Sequence, residues 1–158
     1  ICEAIKSFSH KSKTRILCPI HPNPDVYLKI KKNFLNQKRI YLVNPLSYQT
    51  IIWVMKKCKF IVSDSGGLQE EAPSFNKRVI ILRNKTERPE ILECGLGKIS
   101  GTNPSKLLKI LLETDRLKQS KKKIHHHEFN QPYGLVCLPC QLFYLGFPQQ
   151  GCMGEYLL

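Results

Sequence analysis

Short apolar runs alternate with amphipathic segments along the first three quarters of the chain. Apolar runs bounded by Pro, Asn, Ser or Gly predict β-strands, and segments whose apolar residues recur every three or four positions predict α-helices. The predicted strands cover 14–20, 39–43, 60–63, 78–82 and 98–100. The predicted helices cover 1–11, 25–33, 50–57, 68–72, a short segment ending at Cys94, and 105–117, where Leu107, Leu108, Leu111 and Leu112 form one face.

This alternation predicts an α/β fold with a doubly wound parallel sheet covered by helices on both faces. Such a sheet binds its ligand at the carboxyl ends of the strands. From about Lys118 the pattern fails, so we predict one domain at 1–134 and a divergent, disordered tail at 135–158. Because residues 1–5 read like the middle of a helix, we expect the chain to begin inside a longer protein and the sheet to be incomplete at its N-terminus.

Composition and charge indicate which kinds of ligand and which cellular setting suit the protein. The net charge is +13, from 25 Lys and Arg against 12 Asp and Glu, which suits anionic ligands. The lysines are spread along the chain without interleaved aromatic residues, so we interpret most of the excess as a Lys-rich surface and do not favour nucleic acid. No apolar run approaches the roughly 18 residues that span a bilayer. Seven scattered cysteines, an odd number, favour a reducing, cytoplasmic setting over disulfides.

The strongest chemical signal lies where the third predicted strand meets a helix. There Ser65, Gly66 and Gly67 form a turn of small residues, which lets a phosphate approach backbone N–H groups at the positive end of a helix. Glu71, slightly further on, is placed to accept hydrogen bonds from a sugar diol. The alternative is an ordinary helix cap formed by Asp64 or Ser65.

Arg88 follows the next predicted strand, and loops after neighbouring parallel strands emerge at the same edge of a sheet. Its guanidinium offers a planar set of donors to the same phosphates. The alternative is a surface arginine paired with Glu87 or Glu90.

Six motifs occur in order: HPNP at 21–24, PLSY at 45–48, SDSGGLQEEAPSF at 63–75, TERPE at 86–90, GTN at 101–103 and PYG at 132–134. Together they resemble the non-hydrolysing UDP-N-acetylglucosamine 2-epimerases. The resemblance covers roughly 1–134 and implies the second Rossmann-like domain of a GT-B-type, two-domain enzyme.

By this resemblance, Ser65, Gly66 and Gly67 bind the diphosphate of UDP, Glu71 binds the ribose, and Arg88 assists. The resemblance implies no cofactor, no metal and no catalytic residue in this chain, because the acid and base carboxylates belong to the missing N-terminal domain. UDP and UDP-N-acetylglucosamine are the implied ligands, and a homodimer is the implied full-length assembly. His21 lies in a region that adjoins a regulatory nucleotide-sugar site in bacterial members; the alternative is a structural loop histidine.

Several positions depart from the family pattern. Ile51 replaces an aromatic residue near the uracil, and Asn76 and Arg78 replace a glycine and a proline. Cys137 and Cys140 have the spacing of half a zinc site, but we favour free thiols because a matching second pair is lacking.

The function expected from these observations is that of the UDP-binding half of an epimerase interconverting UDP-N-acetylglucosamine and UDP-N-acetylmannosamine. This half is expected to be inactive alone. The enzymatic alternatives are a fragment of a hydrolysing epimerase or of a GT-B glycosyltransferase. The non-enzymatic alternatives are an inactive truncated remnant and a basic binding module.

Overall fold

The computed structural model describes residues 1–117 and the backbone of the strand at 133–136. The strands are β1 (Arg15–Pro19), β2 (Ile40–Val43), β3 (Phe60–Ser63), β4 (Arg78–Ile81), β5 (Gly97–Ile99) and β6 (Tyr133–Val136). The helices are α1 (Cys2–Lys11), α2 (Pro24–Phe34), α3 (Tyr48–Lys57), α4 (Gly66–Glu71), α5 (Glu90–Glu93) and α6 (Pro104–Arg116), and a 3-10 turn at Ala72–Phe75 follows α4.

The six strands form one sheet in the order β2-β1-β6-β3-β4-β5, and every neighbouring pair is parallel. The chain moves outward from β1 to β2 on one side and from β3 through β4 to β5 on the other. This change of direction defines the topological switch point of a doubly wound sheet. The predicted α/β fold class is therefore confirmed, and the switch point lies around β6.

Strand β6 is the element that the hydrophobic pattern did not predict. Leu135 is in register with Leu17 of β1 and with Ile61 of β3, so β6 fills the space between these two strands. Leu135 and Val136 had been assigned to the divergent tail, and the sheet includes both of them. The rest of the predicted tail, 137–158, lies outside the described residues.

Helices cover both faces of the sheet because successive strand residues point to opposite faces. Phe60 and Val62 of β3 join a core with residues of α1, α2 and α6, whereas Ile61 joins a second core with residues of α3, α4 and α5. Both cores are closely packed, and β3 is buried along its whole length. The sheet consequently holds the carboxyl end of β3 in a fixed position.

Helix α6 begins as its sequence predicts. Asn103 accepts a hydrogen bond from the Lys106 N–H (3.0 Å), and Pro104 occupies the first turn. The buried side chains are Leu107, Ile110, Leu111 and Thr114. The predicted face is therefore correct for Leu107 and Leu111, but Leu108 and Leu112 are only partly buried, and the unpredicted Ile110 is buried as well.

At the amino-terminal edge of the sheet, Asp115 joins three segments of the chain. Its carboxylate accepts hydrogen bonds from Ser12 Oγ (2.6 Å), Thr14 Oγ1 (2.6 Å) and Lys59 Nζ (2.8 Å). Burial acts to raise the pKa of Asp115, but the hydrogen bonds from Lys59, Ser12 and Thr14 outweigh it and hold the pKa below its ordinary value. The interaction fixes the end of α6 against the starts of β1 and β3.

None of the helices among the described residues has the length and apolar character needed to cross a membrane. Within the same residues the four cysteines, Cys2, Cys18, Cys58 and Cys94, are free thiols.

Candidate functional site

The junction of β3 and α4 lies at the carboxyl edge of the sheet, beside the switch point. Ser63, the last residue of β3, is fully buried, and its Oγ accepts a hydrogen bond from the Ser65 N–H (3.0 Å). Ser65 holds the N-cap position of α4, but its side chain accepts no hydrogen bond from the helix. Ser65 is therefore the N-cap residue that the alternative interpretation named, but its hydroxyl makes no capping hydrogen bond.

Gly66 faces open space in front of the first turn of α4. Apart from its chain neighbours and the backbone of its own helix, a Cβ atom at this position would meet no heavy atom of the described residues within 4 Å. Gly67 is the next helical residue. Backbone N–H groups in the first turn of a helix have no intrahelical acceptor, so this open approach is compatible with an anion.

Glu71, at the end of α4, has two unequal carboxylate oxygens. Oε1 accepts a hydrogen bond from the Tyr48 hydroxyl at 3.0 Å. Oε2 is buried and has no hydrogen-bond partner among the described residues. The hydrogen bond to Glu71 raises the pKa of Tyr48 above its ordinary value, with desolvation and the nearby negative charge as smaller causes. Tyr48 is therefore a protonated donor at neutral pH.

Arg83 carries the second buried polar atom that lacks a partner in the described part of the chain. This atom is Nε, and the residue follows β4 at the same edge of the sheet as Glu71. Buried polar atoms in folded proteins are nearly always hydrogen-bonded, so unpartnered ones need an explanation.

The loop after β4 is fastened directly to α4. The Thr86 hydroxyl donates to Gln69 Oε1 (2.5 Å), and the Arg88 N–H donates to Thr86 Oγ1 (3.1 Å). The guanidinium of Arg88 forms an ion pair with Glu70 and also donates to the main-chain oxygen of Glu87. Arg88 thus lies at the same edge as the start of α4, and its carboxylate partner is Glu70, whereas the surface alternative named Glu87 or Glu90.

Sequence reasoning missed the Thr86–Gln69 hydrogen bond. Gln69 is 2% exposed, although glutamine is ordinarily a surface residue. Both residues belong to the motifs singled out above, but no periodicity relates them because they lie on different elements. A cleft of about 590 Å³ next to this hydrogen bond is lined by Gln69 and Glu70 of α4, by Arg88 and by Ile91 of α5. Of the predicted site residues in the described part of the chain, Arg88 alone lines this cleft.

His21 lies apart from this cluster, in the loop after β1. Its Nδ1 accepts a hydrogen bond from the Asn23 N–H (3.2 Å), and Asn23 in turn caps α2 by accepting from the Asp25 N–H (2.9 Å). These bonds match the structural interpretation of His21, and its regulatory role stays a prediction. Across 1–117 and 133–136, no three His, Cys, Asp or Glu side chains converge as a metal site would require, and the 137/140 half-site lies outside these ranges.

Comparison with known proteins gives a consistent family. A family model described as UDP-N-acetylglucosamine 2-epimerase matches residues 1–135. The curated UDP-N-acetylglucosamine 2-epimerase of Campylobacter jejuni is 38% identical over 139 residues, which are 85% of this chain and 35% of the relative. The chain therefore spans about a third of the length of such relatives.

Solved structures agree with the sequence match. The S. aureus MnaA structure with UDP superposes with a TM-score of 0.69 at 39% identity, covering 71% of this chain and 30% of that one. The Neisseria meningitidis UDP-GlcNAc 2-epimerase bound to UDP-GlcNAc gives a TM-score of 0.68 at 33% identity, covering 72% and 31%. Both the sequence match and these folds show that the chain belongs to the UDP-N-acetylglucosamine 2-epimerase family, a family of isomerases.

Proposed function

We propose that this chain is the UDP-binding half of an epimerase that interconverts UDP-N-acetylglucosamine and UDP-N-acetylmannosamine. The observation that carries the proposal is the attachment of the Arg88 loop to α4 through Thr86 and Gln69. This attachment brings the arginine to the sheet edge where Ser65 and Gly66 begin the helix. Doubly wound parallel sheets that bind nucleotides contact the phosphates of the nucleotide at this place.

The described groups are suited to the parts of UDP as follows. The diphosphate would lie against the N–H groups of Gly66 and Gly67, with the Ser65 hydroxyl as a further donor. The ribose would use the free Oε2 atom of Glu71 as its acceptor. Arg88 would exchange its ion pair with Glu70 for the diphosphate. That ion pair is half-exposed, so it is weak and its loss costs little.

The chemistry of the family explains why this half alone is expected to be inactive. Elimination of UDP needs a base at C2 of the sugar and stabilisation of the charge that develops on the leaving diphosphate. The groups proposed here supply only the second. The base is expected from an N-terminal domain, and the same resemblance implies a homodimer for the full-length protein. The scattered cysteines favour a cytoplasmic setting.

Binding of UDP to the 158-residue chain tests the site. We expect Arg88→Ala to weaken UDP binding about tenfold or more, because a charge-assisted hydrogen bond is lost. Arg116→Ala is the matched control, since Arg116 carries the same charge but is exposed at the end of α6, on the opposite edge of the sheet. Isothermal titration at several salt concentrations gives both affinities, and far-ultraviolet circular dichroism checks that both variants fold.

Equal losses of affinity in the two arginine variants would contradict the proposed site, because they would indicate a general effect of positive charge. Salt-dependent binding of RNA or DNA that UDP does not displace would instead support a basic binding module.

Turnover distinguishes the enzymatic alternatives. With UDP-N-acetylglucosamine and the isolated chain, we expect no formation of UDP-N-acetylmannosamine by NMR. A longer chain that includes the N-terminal domain should form it. Turnover by the isolated chain would contradict the assignment of the base to another domain, and release of free N-acetylmannosamine by the longer chain would indicate a hydrolysing enzyme.

A further inference from the structure

The contact between Tyr48 and Glu71 connects two parts of the fold that are distant in the sheet. Tyr48 begins the helix that follows β2, and Glu71 ends the helix that follows β3. Strands β2 and β3 are separated by β1 and β6. The hydrogen bond from Tyr48 to Glu71 therefore spans the switch point, where a doubly wound sheet binds its ligand.

The backbone of Tyr48 is held in place at the start of α3. Ser47 caps this helix by accepting a hydrogen bond from the Thr50 N–H (3.3 Å), and its Oγ lies 2.9 Å from Thr50 Oγ1. The ring of Tyr48 is 62% exposed, so the interior of the protein does not explain its orientation. Its hydroxyl instead contacts one specific acceptor, Glu71 Oε1.

The hydrogen bond from Tyr48 determines how the Glu71 carboxylate is oriented. The terminal torsion of a glutamate is broad and does not by itself select one orientation of the carboxylate. The hydrogen bond that Tyr48 donates to Oε1 selects one orientation of the carboxylate. In this orientation Oε2 is buried without a partner among the described residues, which is unfavourable unless a ligand or a water molecule donates to it.

We propose that Tyr48 is a positioning residue, which orients Glu71 so that Oε2 accepts a hydrogen bond from a ribose hydroxyl of the bound nucleotide. The proposal rests on the proposed function, because it assigns to Tyr48 a role at the same UDP site. Tyr48 acts through Glu71, so its contribution depends on the ribose hydroxyls and on the Glu71 carboxylate.

The test compares UDP with 2′,3′-dideoxy-UDP as ligands of the 158-residue chain. We expect Tyr48→Phe to weaken UDP binding about five- to tenfold, the effect of one lost hydrogen bond. The same substitution should change dideoxy-UDP binding less than about twofold. It should add nothing in a Glu71→Ala background, because that background already lacks the acceptor of the Tyr48 hydroxyl. Tyr41→Phe, at a surface tyrosine of β2 that is 43% exposed, is the control and should leave both affinities unchanged.

The possible outcomes separate this inference from the proposed function. If the unmodified chain binds UDP and Glu71→Ala weakens this binding, but Tyr48→Phe does not, only the role of Tyr48 is wrong. Equal weakening of both nucleotides by Tyr48→Phe also overturns it, because Tyr48 would then act on the base or on the fold. Failure of the unmodified chain to bind UDP overturns the proposed function and the role of Tyr48 together.

Discussion

At the scale of single residues, Asp115 is a polar side chain on which the stability of the fold should depend. It accepts hydrogen bonds from Ser12, Thr14 and Lys59. Replacement by Asn removes the negative charge and one of the two acceptor oxygens, so at least one of these donors loses its acceptor. We expect Asp115→Asn to lower the free energy of unfolding by roughly 2 kcal/mol at pH 7, measured by urea denaturation. Glu113→Gln is the control, because the Lys98–Glu113 ion pair is half-exposed and contributes less than about 1 kcal/mol.

The effect of Asp115→Asn has a defined dependence on pH. Because the pKa of Asp115 is lowered on folding, its stabilising contribution is complete above the unfolded value of about 3.9. The contribution is lost as the pH falls through the lower folded pKa. The difference between the two proteins should therefore shrink in acid. A difference that is unchanged between pH 7 and acid would contradict the assigned role of the carboxylate.

Two departures from the family pattern are accommodated by backbone conformation. Asn76, at a position where the resemblance implies a glycine, has a left-handed conformation with a φ of 53°. Asparagine tolerates this region better than most residues, so the turn is kept. Arg78, which replaces a proline, is the first residue of β4, a position where a proline is also accepted. The structure shows that the chain keeps this turn and this strand with Asn76 and Arg78 in these positions.

At the scale of an element, α6 shows how well the helical pattern predicts a buried face. Leu111 is 1% exposed in the core between α6 and the sheet. We expect Leu111→Ala to lower the free energy of unfolding by roughly 2–5 kcal/mol, since it removes buried methyl groups and leaves a cavity. The measurement is again urea denaturation.

Leu108→Ala provides the comparison within the same helix. Leu108 is only partly buried, so its truncation should cost about 1 kcal/mol. Equal losses at the two leucines would contradict the observed face and would favour the four-leucine face that the sequence predicted. Hydrophobic periodicity locates the buried face of a helix to within about one residue. Whether a residue at the margin of that face is buried depends on which side chains of the sheet lie opposite it.

At the scale of the whole molecule, the stability of the sheet should depend on β6. Leu135 pairs with β1 on one side and β3 on the other, so its N–H lies inside a ladder of hydrogen bonds. We expect Leu135→Pro to lower the free energy of unfolding by at least about 2 kcal/mol, because proline lacks this donor. Leu135→Val keeps the donor and should cost less than about 1 kcal/mol.

Hydrogen exchange provides a second measurement at this scale. In the unmodified chain, the amides of β6 should exchange as slowly as those of β3, since both lie in the interior of the sheet. Rapid exchange throughout 133–136, or a neutral Leu135→Pro, would show that β6 does not occupy this place in solution.

The sequence by itself determined the helices and strands of 1–117 and the residues that the family motifs bring to one edge. It could do so because hydrophobic periodicity and turn chemistry are local properties of the chain. Only the tertiary structure decided that β6 lies between β1 and β3, that Arg88 pairs with Glu70, and that Tyr48 contacts Glu71. These contacts join residues far apart in the sequence, and they depend on strand order and side-chain direction, which local patterns do not specify.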